Sequence, residues 1–212
     1  MMWASGRKRR RVTGDVEEEE DEDDDMSGGL KTGHCLYVLN NHVHFNYDVT
    51  QQSMFLLGRT LRNLAQKLKL NALRSGAAAV QPIYLHVSTD GGEVSAAFSV
   101  VACIAGLGVD VYSVVDGFVA SAGTLITLAA KKRYIQPNAY MLIHQVSSGV
   151  WGKMSVIDEQ VDNLKKLMQH ITAFYLKHTS LKAPALKKLL LTDVTWNAEE
   201  SIVRGIADEL YQ

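Results

Sequence analysis

The sequence predicts an α/β domain. Short apolar or β-branched runs alternate with longer segments whose apolar residues recur at helical spacing, and turns rich in small residues join them. At 212 residues and 47% hydrophobic, the chain is long enough for one sizeable core.

Residues 35–45 contain a strand, and 50–70 read as a long amphipathic helix with Leu56, Leu57, Leu61, Leu64 and Leu68 at helical spacing. These leucines are ordinary core positions. Residues 71–81, with the small run Ser75-Gly76-Ala77-Ala78-Ala79, form a connection. The apolar strand Tyr84-Leu85-His86-Val87-Ser88 then runs into Thr89-Asp90-Gly91-Gly92-Glu93, and 94–107 form a helix whose small residues imply close packing. A β-branched strand follows over 109–115, then a buried helix over 124–130. The hydrophobic strand Tyr140-Met141-Leu142-Ile143-His144-Gln145 carries a histidine near its end. Over 156–178, Val161, Leu164, Leu167, Met168, Ile171, Phe174 and Tyr175 keep a 3.6-residue rhythm too apolar for an isolated helix, so a partner subunit is expected to cover it.

Three of these segments carry chemistry. Ser121 lies in Gly117-Phe118-Val119-Ala120-Ser121-Ala122-Gly123, a small-residue turn from strand to helix, where first-turn N–H groups stabilise developing negative charge. From that segment alone, a helix N-cap serine is the commoner reading. Gly91-Gly92 allows close backbone approach with N–H groups exposed, as an oxyanion hole requires. His144, at the strand end, supplies a base once a serine and a glycine pair stand beside it.

Taken together, Gly91-Gly92, Gly117 to Gly123, Met141-Leu142-Ile143-His144-Gln145, and Asp193 before Val194-Thr195-Trp196-Asn197 resemble, in that order, the proteolytic subunits of the Clp protease family. The tail 199–208 is similar to that family's closing helix, glycine and aspartate turn, and the resemblance spans about residues 36–212. It implies an α/β ClpP/crotonase-like fold of repeated β-β-α units with a protruding handle helix. It also implies a serine endopeptidase acting on unfolded proteins or short peptides inside an oligomeric chamber. Carried over residue by residue, Ser121 is the nucleophile, His144 the general base and acid, and Asp193 the group that orients the imidazole. The backbone N–H groups of Gly92 and Ala122 form the oxyanion hole. Gly91, Gly149 and Trp151 fall where substrate is bound, with 146–153 matching the family's handle strand. A homo-oligomeric ring, able to stack into a double ring, and a separate AAA+ ATPase unfoldase are the implied partners.

Several positions depart from the family pattern. Thr89-Asp90 replaces Ser-Pro before the glycines, Val146 replaces the proline after His144-Gln145, and the turn around 130–133 is shortened. Residues 71–81 look inserted. Leu191-Thr192 stands in place of the acidic-Arg pair that helps lock two rings together. Two other classes share the fold: a catalytically silent ring subunit, which commonly loses a triad residue, and a crotonase-type acyl-CoA enzyme, which has no need of this serine, histidine and aspartate. A serine-lysine peptidase is a further alternative, but Lys131 and Lys132 lie close to Ser121 in sequence.

The first 29 residues read as a disordered arm, separate from a peptidase domain over 30–212. Arg7-Lys8-Arg9-Arg10-Arg11 precedes nine consecutive acids, Glu17 to Asp25. Setting aside the arm's five basic and ten acidic residues from the chain's 22 Lys and Arg and 23 Asp and Glu leaves 17 against 13. That mild excess is no nucleic-acid signature. No stretch approaches the ~20 apolar residues of a membrane span, so no membrane partner is expected. Cys35 and Cys103 make no disulfide framework, which points to a reducing, cytoplasmic setting, while the basic cluster also fits a nuclear address. There is no phosphate-binding loop, and no cofactor is expected. His42 and His44 face one side of a strand without a third ligand nearby in sequence, so no metal is expected either.

Overall fold

The computed structural model describes residues 35–212; the N-terminal arm read at 1–29 lies outside the described residues. Its elements run β1 (Leu36–Leu39), β2 (His42–Asn46), α1 (Gln51–Ser75), β3 (Ile83–Thr89), α2 (Val94–Gly106), β4 (Val111–Ala120) and α3 (Ala122–Leu128). They continue with β5 (Lys132–Ile135), β6 (Tyr140–Leu142), α4 (Met154–His178), α5 (Ala183–Leu189), β7 (Thr195–Trp196), α6 (Ala198–Val203) and β8 (Glu209–Leu210). The mixed α/β class is as expected, and β-β-α units occur as β1-β2-α1 and β5-β6-α4.

One sheet organises the chain in the order β1-β2-β3-β4-β5-β8, and β2, β3, β4, β5 and β8 run parallel. The run 35–45 forms two strands rather than one, because Asn40 adopts φ 57° and folds β1 antiparallel onto β2. Asparagine tolerates that left-handed conformation better than most residues. Two steps along β3, Val87 to Thr89, face four steps along β4, Val115 to Val119, and Gly117 within the bulge has φ 74°. Bulges of this kind re-aim a strand. Beyond it β4 leaves β5 and pairs with β6, and β6 in turn pairs antiparallel with β7. The split determines where the site forms.

Alternation along the strands separates two faces. Val43, Phe45, Ile83, Leu85, Val87, Val111 and Val115 are buried and pack with α1, α2 and α3. His42, His44, Tyr84, His86, Tyr112 and Tyr134 form the other face, where rings stack across strands: His42 on Tyr84 at 4.7 Å and His44 on His86 at 4.2 Å between centroids.

Helix α1 starts on a Thr50–Ser53 capping box and ends at Gly76, φ 66°. It therefore runs to Ser75, beyond the boundary expected at residue 70, because Asn71 to Ser75 lack any breaker before that glycine. Its buried stripe of Met54, Leu57, Leu61, Leu64 and Ala65 meets α2, where Gly58 lies beside Cys103. Cys103 is buried and Cys35 half-buried, both as free thiols. Helix α4 buries only Ile171 and Tyr175, while Met154, Val156 and Val161 in its N-terminal half are exposed. No helix among the described residues is long and apolar enough to cross a membrane.

Candidate active site

Strand β4 delivers Ser121 into a turn of its own: φ 52°, ψ −124°, one of two non-glycine residues at positive φ among those described. Such a backbone is strained, and it lifts a side chain out of the line of strand and helix, as in the nucleophile elbow of serine hydrolases. Ser121 occupies the N-cap position of α3, yet its side chain makes no capping hydrogen bond. The capping alternative is thereby removed, and the hydroxyl is left for other work.

The turn is held by its backbone. Ser121 N donates to Leu142 O at 2.9 Å, at the end of β6. Ser121 O accepts from Thr124 N at 3.0 Å and from Thr124 Oγ1 at 2.7 Å. Thr124 Oγ1 also meets the Tyr175 hydroxyl at 2.7 Å, which ties the turn to α4. Burial drives the Tyr175 phenol pKa well above its ordinary value, so that ring stays neutral. Sequence reading missed Thr124 and Tyr175 as positioning residues; the two lie 51 residues apart and carry no shared local signal.

The glycine pair packs directly against this turn. Gly91 has φ 99°, and a Cβ there would stand 2.7 Å from Ser121 Cβ and 2.8 Å from Ala120 O. Gly92 has φ 141°, and its Cβ would fall 2.2 Å from Val49 O. Only glycine satisfies both backbone and space. Val49 N donates to Gly91 O at 2.8 Å and Glu93 N to Val49 O at 2.7 Å, whereas Gly92 N has no acceptor among the described residues. Ala122, at the first position of α3, likewise has an N–H with no partner inside its helix. Gly123 completes the packing, since a Cβ there would be 2.3 Å from Thr89 Cγ2.

His144 lies two residues beyond β6, and its Nδ1 is 3.2 Å from Asp193 Oδ1. Two ties bring Asp193 there. Gln145 N donates to Leu190 O at 2.9 Å, and β7, two residues past Asp193, pairs with β6 through Leu142 and Thr195. The His144 side chain is 26% exposed, Asp193 80%. Water screens a contact that open, so its electrostatic contribution is small in the single chain. No hydrogen bond joins Ser121 to His144 among the described residues, although the shared Ser121–Leu142 bond sets their backbones side by side.

Gly149 and Trp151 are not gathered into this site. Residues 146–153 form no strand, a Cβ at Gly149 would meet nothing, and Trp151 is 87% exposed. A strand needs a neighbour for its N–H and C=O groups, and none lies there among the described residues. Val146 N instead approaches Met168 Sδ at 3.3 Å.

Comparison with known proteins converges on one group. The family described as Clp protease matches residues 44–212. An ATP-dependent Clp protease proteolytic subunit 2 from Treponema denticola is 30% identical over 162 residues, covering 75% of this chain and 81% of its own. A proteolytic subunit 3 from Rhizobium meliloti is 30% identical over 161 residues, 75% of this chain and 83% of its own. The proteolytic subunit from Streptococcus equi subsp. equi is 31% identical over 153 residues, 70% and 76% respectively.

Proposed function

This chain belongs to the Clp protease family and is a serine peptidase of the ClpP type; on that premise we propose that Ser121, His144 and Asp193 act as its catalytic triad. The observation that carries the proposal is the Ser121 turn, a strained left-handed serine between strand and helix whose hydroxyl caps nothing. A serine hydroxyl is a weak nucleophile at neutral pH and must lose its proton as it attacks, so a base has to stand beside it. His144 takes that proton on Nε2 while Nδ1–H donates to Asp193, which selects the tautomer and stabilises the imidazolium that forms. The proton then passes to the leaving amine, and water repeats the cycle on the acyl-enzyme. Gly92 N–H and Ala122 N–H hold the tetrahedral oxyanion; each such donor accounts for about 100- to 1,000-fold in rate.

Substrates are unfolded proteins or short peptides, laid as an added strand beside Gly91 and residues 146–153, with Gly149 and Trp151 in the groove. The segment has no strand partner among the described residues, which supports that role. The exposed Met154, Val156 and Val161 support burial of α4 between subunits of a homo-oligomeric ring. Leu191-Thr192 removes the acidic-Arg pair that helps lock two rings together, which leaves a single ring as well as a stacked one open to this chain. The relatives are named ATP-dependent, and a separate AAA+ unfoldase is the partner that would feed this chamber. The free thiols of Cys35 and Cys103 suit a reducing, cytoplasmic setting.

The test is a fluorophosphonate serine label followed by peptide mapping. Labelling at Ser121, lost in His144→Ala, is the expected result. Peptide hydrolysis that survives undiminished in Ser121→Ala would sink the assignment.

A further inference from the structure

The second face of the sheet gathers a set of side chains that the peptidase chemistry does not use. Strands β2 and β3 pair His44 with His86, and β3 and β4 pair His86 with Val114, which sets Asp116, two residues further along β4, on the same face. His86 Nδ1 lies 2.9 Å from Asp116 Oδ2, and the His44 ring stacks on His86 at 4.2 Å with 17° between planes. One ligand atom from each of His44, His86 and Asp116 lies within 4.8 Å of the other two. The sequence left His42-Val43-His44 without a third ligand; the sheet supplies His86 and Asp116 from elements that register alone brings together.

Two details separate this cluster from an ordinary buried histidine network. Asp116 Oδ1 is buried and has no hydrogen-bond partner. Leaving a carboxylate oxygen so placed is costly unless something positive meets it. The outer nitrogen of His86, Nε2, lies 2.9 Å from His42 Nδ1. A ligating histidine characteristically donates its other ring N–H to a neighbour, and His42 is placed to accept it. His86 itself is only 6% exposed, so its ring is held by packing.

We propose that His44, His86 and Asp116 form a divalent transition-metal site, zinc by its donor set, with His42 as the partner that orients His86. Two imidazoles and a carboxylate suit zinc, whereas magnesium and calcium favour all-oxygen shells. Ligands about 2.0–2.1 Å from a tetrahedral ion stand roughly 3.4 Å apart. The His86–Asp116 pair is already near that spacing, and His44 closes the remainder by tilting its ring toward β3. Binding moves the His86 proton from Nδ1 to Nε2, where His42 Nδ1 accepts it, and so frees His86 Nδ1 and the Asp116 carboxylate to ligate the metal. The cluster faces a cavity of about 260 Å³, also lined by Tyr37, Asn46 and Ser88, which leaves room for water in the fourth position. Strands β3 and β4 lead into the Gly91-Gly92 loop and Ser121, so the ion clamps the two strands on which the peptidase site is mounted.

The experiment is a zinc titration of the full-length chain by calorimetry, with cobalt(II) as a spectroscopic probe. One zinc per chain and the strong visible absorption of four-coordinate cobalt are expected, with thermal unfolding shifted upward by saturating zinc. Affinity should fall by more than about 100-fold in the His44→Gln/Asp116→Asn double variant and by about tenfold in His42→Gln, as for loss of an orienting neighbour. Both positions of the double variant are half-buried, and far-UV circular dichroism verifies its fold. The acidic arm is present in every sample, so ions held by it cancel in the comparison. His144→Ala should bind zinc as the unsubstituted chain does, which keeps this site separate from the peptidase assignment. No saturable zinc binding by the unsubstituted chain, or equal binding by the double variant, overturns the proposal.

Discussion

The two ends of the peptidase site are built in opposite ways. The Ser121 turn is strained, backed by a glycine whose replacement would press on Ser121 Cβ, and bonded to Leu142 and, through Thr124, to buried Tyr175. The His144–Asp193 pair rests on a 3.2 Å contact to a carboxylate that is 80% exposed. Strain persists only where surrounding packing over-determines a conformation. On the proposed assignment, the nucleophile and its N–H donors are set by packing within the single chain, while the base is held by one open contact to Asp193. The difference teaches that tertiary packing fixes the Ser121 end and leaves the His144–Asp193 end open, so any definition that assembly adds is to be sought there.

The largest effect expected is that of Ser121→Ala, which should lower peptide hydrolysis by about 10⁴-fold or more while the oligomer is retained. Steady-state kinetics with sedimentation of the same sample checks both. Next, Gly92→Ala should break the rigid end. Its Cβ would fall 2.2 Å from a backbone oxygen that cannot swing away, so the loop must shift and take the Gly92 N–H with it. A loss of about 100- to 1,000-fold in kcat is expected, together with a lower unfolding midpoint; an unchanged kcat would show that Gly92 N–H is no oxyanion donor.

Asp193→Asn sharpens the comparison from the loose side. A triad aspartate enclosed by protein carries about 10⁴-fold in rate, and an exposed one should carry less. A full 10⁴-fold loss in the assembled enzyme, alongside a smaller loss in the dissociated chain, would place the missing burial at a subunit contact.

Tyr175→Phe tests whether α4 steadies the elbow. Removing its hydroxyl should cost about 1 kcal/mol, the usual net contribution of a hydrogen bond, with a few-fold fall in kcat; equilibrium denaturation and kinetics measure the two. Because burial raises this phenol above its ordinary 10.0, the folded state holds the proton more tightly than the unfolded one. The contribution is fully present below pH 10 and is lost as the pH climbs above it, so Tyr175→Phe should lessen alkaline destabilisation. The smallest change should come from Trp151→Ala. With 87% of the residue exposed, the stability of the isolated chain should stay within about 0.5 kcal/mol, whereas KM for unfolded substrates rises if Trp151 lies in the groove.

Much of this site was legible from local pattern. The alternation of strand and helix, the small-residue turn at Ser121, the Gly91-Gly92 pair and a histidine at a strand end are written in a few consecutive residues each, because turn geometry and helix or strand period act over that range. Asp193 was legible only through family resemblance, since nothing in its own neighbourhood marks it. Tertiary structure alone decided that β4 splits at Gly117, that the Ser121 hydroxyl caps nothing, and that Tyr175 reaches Thr124 from 51 residues away. It likewise brought Asp116 to His86, 30 residues apart, and left 146–153 with no strand neighbour among the described residues. The reason is common to all of these: they depend on strand register and on which backbone groups remain unpaired after the sheet closes, and a chain read one residue at a time holds neither.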